Sequence, residues 1–332
     1  MANIIITGGS GFIGQQVIRT ATEKGHKVGV IDFKNPGFDV EFEKANIAAY
    51  ESVLMAFKGL DRKLEKIDAV VHLAASFNYS KPDHYQYMVN VEGTRNVAEA
   101  ATAAGISRFI NMGAVAEYRE GSECLIKEST PLQPCENYGK TKHMAEEMLF
   151  EEYSRELEII TFRAAMVYGN FSTGSYIDGM FNMVKNSPLI VTPMKNTRNS
   201  YVHTDDIARA ILHAVENPSR VFKAEAKDIN DLAYNLADEN PVSEREVVAV
   251  LKTLIPGAAN KPLLPVVPET MFKAMAALAE FFEGFVSDKP SLPKAVAMHA
   301  PFNHALDNSK FKATGFEYSV KSISEGMPRV VE

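Results

Sequence analysis

Residues 3–16 read NIIITGGSGFIGQQ, and the glycines at 8, 11 and 14 constrain the fold more than any other stretch. A β-type apolar run over 4–7 leads straight into them, and a helical pattern over 13–23 follows. The expected unit is strand, tight turn, helix. Gly8 allows the turn, Gly11 leaves no side chain in the way of a diphosphate, and Gly14 lets the helix pack close to the sheet. The helix N-terminus, with Phe12 and Ile13 in its first turn, offers free N–H groups and a partial positive charge to phosphate. Asp32 follows 18 residues after Gly14, at the end of a second β run. A carboxylate there accepts hydrogen bonds from both hydroxyls of an adenosine ribose and repels a 2′-phosphate, which favours NAD over NADP. Lys34, two residues on, softens that preference.

The pattern then repeats. Short apolar runs at 28–31, 69–73, 109–112 and 159–162 alternate with helical segments at 50–57, 85–104 and 138–153. Runs this short and this apolar are expected of parallel strands buried on both faces. Alternating strands and helices with right-handed crossovers give an α/β fold, a doubly wound parallel sheet. A further strand between residues 32 and 68 is expected near 45–47. After Tyr168 the pattern turns irregular, with a helix over 205–215, a strand over 234–237, a helix over 243–254 and prolines at 256, 262, 265 and 268. The expected division is a Rossmann domain over 1–165 and a smaller substrate-binding region over 166–332, partly interleaved through the 205–215 helix.

Charge and cysteine content narrow the partners. A net charge of −7 without a basic run argues against nucleic acid and anionic membrane. Cys124 and Cys135 are too few for a disulfide framework, which fits a reducing compartment. Neither a signal-peptide pattern nor an apolar stretch of about 18 residues is visible. The expectation is a soluble cytoplasmic protein acting on a small molecule.

A second constellation is NYGKTKHMAEE, which puts Tyr138 and Lys142 one helical turn apart on one face. A lysine ammonium beside a phenol is expected to lower its pKa. Tyr138 then exchanges a proton with a substrate oxygen while the nicotinamide moves a hydride. His203-Thr204-Asp205-Asp206 reads as a helix start capped by Thr204 or Asp205 rather than as a metal site. Met271, Met275, Leu278 and Phe282 recur at helical spacing, as core packing or as an adaptable apolar wall over a substrate.

Taken in order, TGGSGFIG, DAVVHLAA (68–75), NVEGTRNV (90–97), YGKTK (138–142), FRAAMVYG (162–169) and YVHTDDIARAI (201–211) resemble the successive blocks of the extended short-chain dehydrogenase/reductases. The resemblance implies an NAD-binding Rossmann domain, with Tyr138 as acid/base and Lys142 holding ribose and tuning Tyr138. It puts Leu73, Ala74, Ala75 and Ala165 along the cofactor cleft, and Asn90 where it places the central helices. It further implies a homodimer through the helices carrying Asn90 and Tyr138. One departure stands out: where the family runs T-S-S-x-x-V-Y-G, this chain has NMGAVAEYR, so Gly113 and Ala114 replace hydroxyls that help hold the substrate oxygen. Losing such a donor costs on the order of 10²–10³ in rate. Lesser departures are Asn46, where an acid that contacts adenine is common, and Ala164, where proline is common. Three readings follow in order of preference. The first is a dehydrogenase for a hydrophobic, steroid-like alcohol or ketone. The second is a nucleotide-sugar epimerase or dehydratase, and the third a non-catalytic NAD sensor.

Overall fold

The computed structural model describes residues 1–77, 82–118, 125–170, 175–192, 197–221, 226–263, 270, 274 and 303–331. Its centre is a seven-stranded, all-parallel sheet: β1 (Asn3–Thr7), β2 (Lys27–Asp32), β3 (Glu41–Lys44), β4 (Ala69–His72), β5 (Arg108–Ala114), β6 (Glu158–Ala164) and, far along the chain, β9 (Ala233–Leu236). The spatial order is β3-β2-β1-β4-β5-β6-β9. A separate parallel pair joins β7 (Met166–Tyr168) to β8 (Tyr201–His203).

Alternation along each strand decides which side chain enters which core. Ile4 and Ile6, Val28 and Val30, Ala69 and Val71, Ile110 and Met112, and Ile160 and Phe162 belong to one apolar cluster. Ile5, Ile31, Val70, Phe109 and Ile159 belong to the other. The first face is covered by α1 (Phe12–Glu23) and α7 (Thr204–Glu216), through Val17, Ile18, Ile207 and Ile211. The second is covered by α2 (Tyr50–Leu64) and α4 (Gly93–Ala103), with Phe57, Leu60, Val97 and Ala101. Helix α4 continues from α3 (Asp83–Tyr87) through a π-turn, Met88–Glu92, and α5 (Asn137–Met148) runs beside them. A third cluster, including Tyr168, Met180, Tyr201, Val247 and Leu251, ties β7 and β8 to α6 (Tyr176–Asn186) and to α8 (Glu244–Leu254).

The expected strand near 45–47 lies four residues earlier, in EFEK. As the sheet's edge it is half solvated and carries charge, so it never formed an apolar run. The 234–237 strand, expected in the C-terminal region, is the far edge of the main sheet, paired with β6 from Thr161↔Ala233 to Ala164↔Leu236. The 205–215 helix packs on α1, so the chain returns to the sheet twice. The cap of α7 is His203, not Thr204 or Asp205: its Nδ1 accepts from the Asp205 N–H at 3.2 Å. Pro265, Pro268, Met271, Met275, Leu278, Phe282 and Cys124 lie outside the described residues. Among the described residues no helix is long and apolar enough to cross a membrane.

Candidate active site

In an open parallel sheet, a cleft forms at the carboxyl ends of the strands where the strand order reverses. Here that point lies between β1 and β4. Gly8–Gly14 follows β1, Asp32 ends β2, Leu73–Ala75 follows β4, Gly113 and Ala114 end β5, and Ala165 follows β6. The topology thus brings these scattered positions to one edge.

The loop after β1 is built of close backbone approaches. Gly8 has φ +74°, and a Cβ there would meet the Ala74 nitrogen at 2.6 Å. A Cβ on Gly14 would meet the Gly8 carbonyl oxygen at 2.3 Å and Gly9 Cα at 2.6 Å. Gly14 therefore serves packing of the helix on its own loop, not on the sheet. Gly9, absent from the sequence expectation, is the glycine that faces the sheet: its Cβ would meet Val30 Cγ1 at 2.6 Å. Gly11 is the N-cap of α1 and exposed, and its only close neighbour would be the Gly8 oxygen at 3.2 Å. The N–H groups of the first helical turn, Phe12 and Ile13 among them, have no partner within the helix.

Asp32 is already engaged. Its Oδ2 accepts from the Ser10 N–H (2.9 Å) and hydroxyl (2.8 Å), and Oδ1 from the Phe33 N–H (2.6 Å). A carboxylate has about four lone-pair sites, so one remains, on Oδ1. The expectation was a carboxylate open to both ribose hydroxyls; within the chain Ser10 already orients it and one lone-pair site is left.

Beyond β4 a buried polar thread runs from the sheet to α5. Thr7 Oγ1 meets His72 Nδ1 at 2.8 Å, His72 Nε2 meets Thr94 Oγ1 at 2.9 Å, and Thr94 Oγ1 donates to the Asn90 carbonyl at 2.6 Å. Burial, and then the nearby Lys142 charge, push the His72 pKa down to about 3, so the ring is neutral. Because the Thr94 hydroxyl donates elsewhere, it accepts from His72 Nε2–H, and Nδ1 accepts from Thr7; the tautomer follows from the network. Asn90, in the π-turn, donates to the Ser76 carbonyl (2.9 Å) and Thr141 Oγ1 (3.0 Å) and accepts from the Ser76 N–H (2.7 Å). It ties the loop after β4 to α5. Sequence reasoning missed His72, Thr94 and Thr141, whose polarity inside apolar blocks was the available signal.

Helix α5 carries Tyr138, half-buried, and Lys142, fully buried. Its start presses on the turn after β5: a Cβ on Gly139 would meet the Ala116 carbonyl oxygen at 2.1 Å. Burial lowers the Lys142 pKa, while Glu117 and Glu146 pull it up. Tyr138 is raised, by burial and then by the Glu117 charge. The expectation that Lys142 lowers the phenol's pKa is therefore corrected for the protein's own groups: desolvation and an unforeseen carboxylate outweigh one turn of proximity to lysine. Beneath the pair, Arg163 and Glu146 form an ion pair at 0% and 2% side-chain exposure, 2.7 Å apart at the closest. Ala114 brings no hydroxyl to this point, and its N–H donates to Glu117 Oε1 (2.6 Å).

Residues 4–236 match the NAD dependent epimerase/dehydratase family. The chain belongs to that family. An NAD-dependent epimerase/dehydratase fold also describes its overall likeness to solved structures. The Thermus thermophilus UDP-glucose 4-epimerase in complex with NAD superposes with a TM-score of 0.74 over 99% of this chain and 97% of that one, at 20% identity. Among curated relatives, an Escherichia coli N-acetyl-α-D-glucosaminyl-diphospho-ditrans,octacis-undecaprenol 4-epimerase is 25% identical over 256 residues, 74% of this chain and 70% of that protein. A mouse decarboxylating sterol-4-α-carboxylate 3-dehydrogenase is 28% identical over 164 residues, 47% of this chain and 42% of its own length. Across such relatives the chain spans from 42% to 79% of their length.

As a family member the chain is an NAD-dependent enzyme. The residues present fit the dinucleotide: a glycine cradle that side chains would fill, free helix N–H groups for the diphosphate, and a spare carboxylate site for ribose.

Proposed function

We propose that the chain is an epimerase or dehydratase acting on a secondary hydroxyl of a diphosphate-linked sugar. The observation that carries the reading is the Tyr138–Lys142 pair on α5, held by Asn90 and Thr141 at the strand edge that also presents the glycine loop. The E. coli and T. thermophilus proteins named above, both 4-epimerases, favour a sugar over the steroid-like alcohol expected from sequence.

When bound, the nicotinamide supplies a reversible acceptor for hydride. This chain's residues do the rest. The α1 N-terminus and Gly11 hold the diphosphate, Asp32 Oδ1 takes one ribose hydroxyl, and the loop Leu73–Ala75 with Ala165 walls the cleft. Lys142 holds the other ribose. Tyr138 takes the sugar hydroxyl's proton at its phenolic oxygen and returns it later in the cycle. In this reading residues 166–332 supply the substrate contacts. Two copies pair through α4 and α5, where Met144 stands 47% exposed.

The test is incubation of the protein and NAD with UDP-glucose and dTDP-glucose, following NADH absorbance and analysing the sugar. Altered sugar without net NADH supports the reading. Net NADH with a sterol or similar alcohol supports the second reading, a dehydrogenase, which the mouse relative favours.

A further inference from the structure

A line of buried side chains joins the glycine loop to the helix that carries Tyr138. Thr7 ends β1 and stands directly before Gly8. Its hydroxyl lies 2.8 Å from His72 Nδ1 and accepts the Ala74 N–H at 3.4 Å. On the other side of the His72 ring, Nε2 reaches Thr94 Oγ1 at 2.9 Å, and Thr94 donates to the Asn90 carbonyl at 2.6 Å. The Asn90 amide donates to Thr141 Oγ1 at 3.0 Å, and Thr141 donates to the carbonyl of Tyr138 itself at 2.9 Å. The links thus pass from β1 through β4, α4 and the π-turn into the first turns of α5.

The hydrogens in this line run one way. A hydroxyl has one hydrogen to give, and Thr94 gives its own to Asn90, so His72 donates at Nε2 and accepts the Thr7 hydroxyl at Nδ1. One rigid ring supplies both the donor and the acceptor. Thr7, His72, Thr94, Asn90 and Thr141 are each at most 2% exposed. Water therefore does not replace a broken link, and no cofactor touches these side chains directly. Each acts through the backbone it holds. The loop after β4 belongs to the same unit: a Cβ on Gly8 would meet the Ala74 nitrogen at 2.6 Å, and Asn90 bonds both the N–H and the carbonyl of Ser76.

We propose that His72 is a positioning residue: through Thr7 on one side and Thr94, Asn90 and Thr141 on the other, its ring fixes the glycine loop and α5 relative to each other. The diphosphate held by the loop and the ribose held by Lys142 are then met by one preset frame. The inference rests on the reading of α5 as a helix that meets the cofactor. A dinucleotide spans both elements. A chain in which they can slip must order them on binding, and its affinity falls accordingly.

The experiment is calorimetry of NAD binding to the full-length protein and a double-mutant cycle. His72→Phe keeps a ring against Phe109, 5.7 Å away between centroids, but removes both nitrogens. It is expected to weaken NAD about tenfold. His72→Gln, whose amide offers a donor and an acceptor, is expected to recover most of that loss. Thr141→Val removes the far link at nearly constant volume, is expected to weaken NAD about tenfold as well, and carries the test should His72→Phe not fold. With both changes together the loss should stay near tenfold, against about a hundredfold for two independent sites. Melting temperature identifies folded variants; a role in stability alone would lower it and leave the NAD affinity of the folded protein unmoved. Parent affinity in folded His72→Phe or Thr141→Val, or a double variant at the product of the two single losses, overturns the proposal. Lys142→Met checks the underlying reading separately. Parent NAD affinity in that variant sinks the placement of α5 on the cofactor, whereas a loss there with none in folded His72→Phe strikes the role of His72 alone.

Discussion

Alanine at position 14 discriminates sharply between packing and ligand roles in the glycine loop. The added Cβ would lie 2.3 Å from the Gly8 oxygen, 2.6 Å from Gly9 Cα and 2.9 Å from the Gly9 carbonyl carbon. All three are backbone atoms, so no rotamer change relieves the overlap, and a relaxed carbon contact needs about 3.5–4.0 Å. Helix and loop must part by about an ångström. Overpacking of this kind costs about 1–3 kcal/mol, appreciable beside a total stability of about 5–15 kcal/mol. The same displacement moves the N–H groups aimed at the diphosphate, and about 1.4 kcal/mol is tenfold in affinity. Gly14→Ala is thus expected to lower the urea midpoint and to weaken NAD binding by about tenfold to a hundredfold. Gly11→Ala is the control, because its Cβ meets only the Gly8 oxygen at 3.2 Å and otherwise points at open space. It should leave the midpoint near the parent value yet still weaken NAD. Urea titration by circular dichroism and NAD calorimetry on both variants check this. A Gly14→Ala protein as stable as the parent, or a Gly11→Ala protein binding NAD normally, refutes the division of roles.

Tyr138→Phe is expected to abolish turnover with NAD affinity nearly unchanged, read by steady-state assay and calorimetry. Asn90→Ala removes two hydrogen bonds to the loop after β4 and one to α5. Leaving those buried partners unpaired should cost about 2–4 kcal/mol in urea unfolding and depress turnover with it. Burial raises both Glu244 and Asp238 to about 8, far above ordinary carboxyls. The folded protein then binds more protons than the unfolded chain between about pH 4 and 8, so their contribution favours folding at low pH and declines as pH rises toward 8. Glu244→Gln should flatten the fall of stability over that window, measured by urea titration at stepped pH, and an unchanged slope would refute the assignment.

What was legible in the sequence was whatever burial on both faces wrote as an apolar run. Five strands of the central sheet are of that kind, while the glycine turn, Asp32 and the Tyr138–Lys142 pair stood out by residue type and spacing. The edge strand Glu41–Lys44 was not, because half its surface meets water and its residues carry charge. Nor was the crowding of Glu117 and Glu146 at one backbone point, Gly113. These residues lie in different blocks, and only the pairing of β5 with β6 and the seating of α5 bring the two acids and Arg163 together. Asp32 stands out in the sequence, but its engagement by Ser10 depends on the path of the loop, which the glycine spacing alone does not specify.

The position of β9 bears on how the protein is made. Its partner β6 ends at Ala164, yet the strand that covers that edge begins only at Ala233. A ribosome must synthesise almost seventy more residues before the gap is closed, which at about 5–20 residues per second takes several seconds. During that interval the open flank of β6 offers unpaired backbone groups to any neighbouring chain. Its sequence there, EIITFRA, is β-rich and apolar at Ile159, Ile160 and Phe162. Overproduction at high temperature should therefore cause aggregation through nascent chains, and slowing synthesis within that stretch should worsen it without altering the finished enzyme.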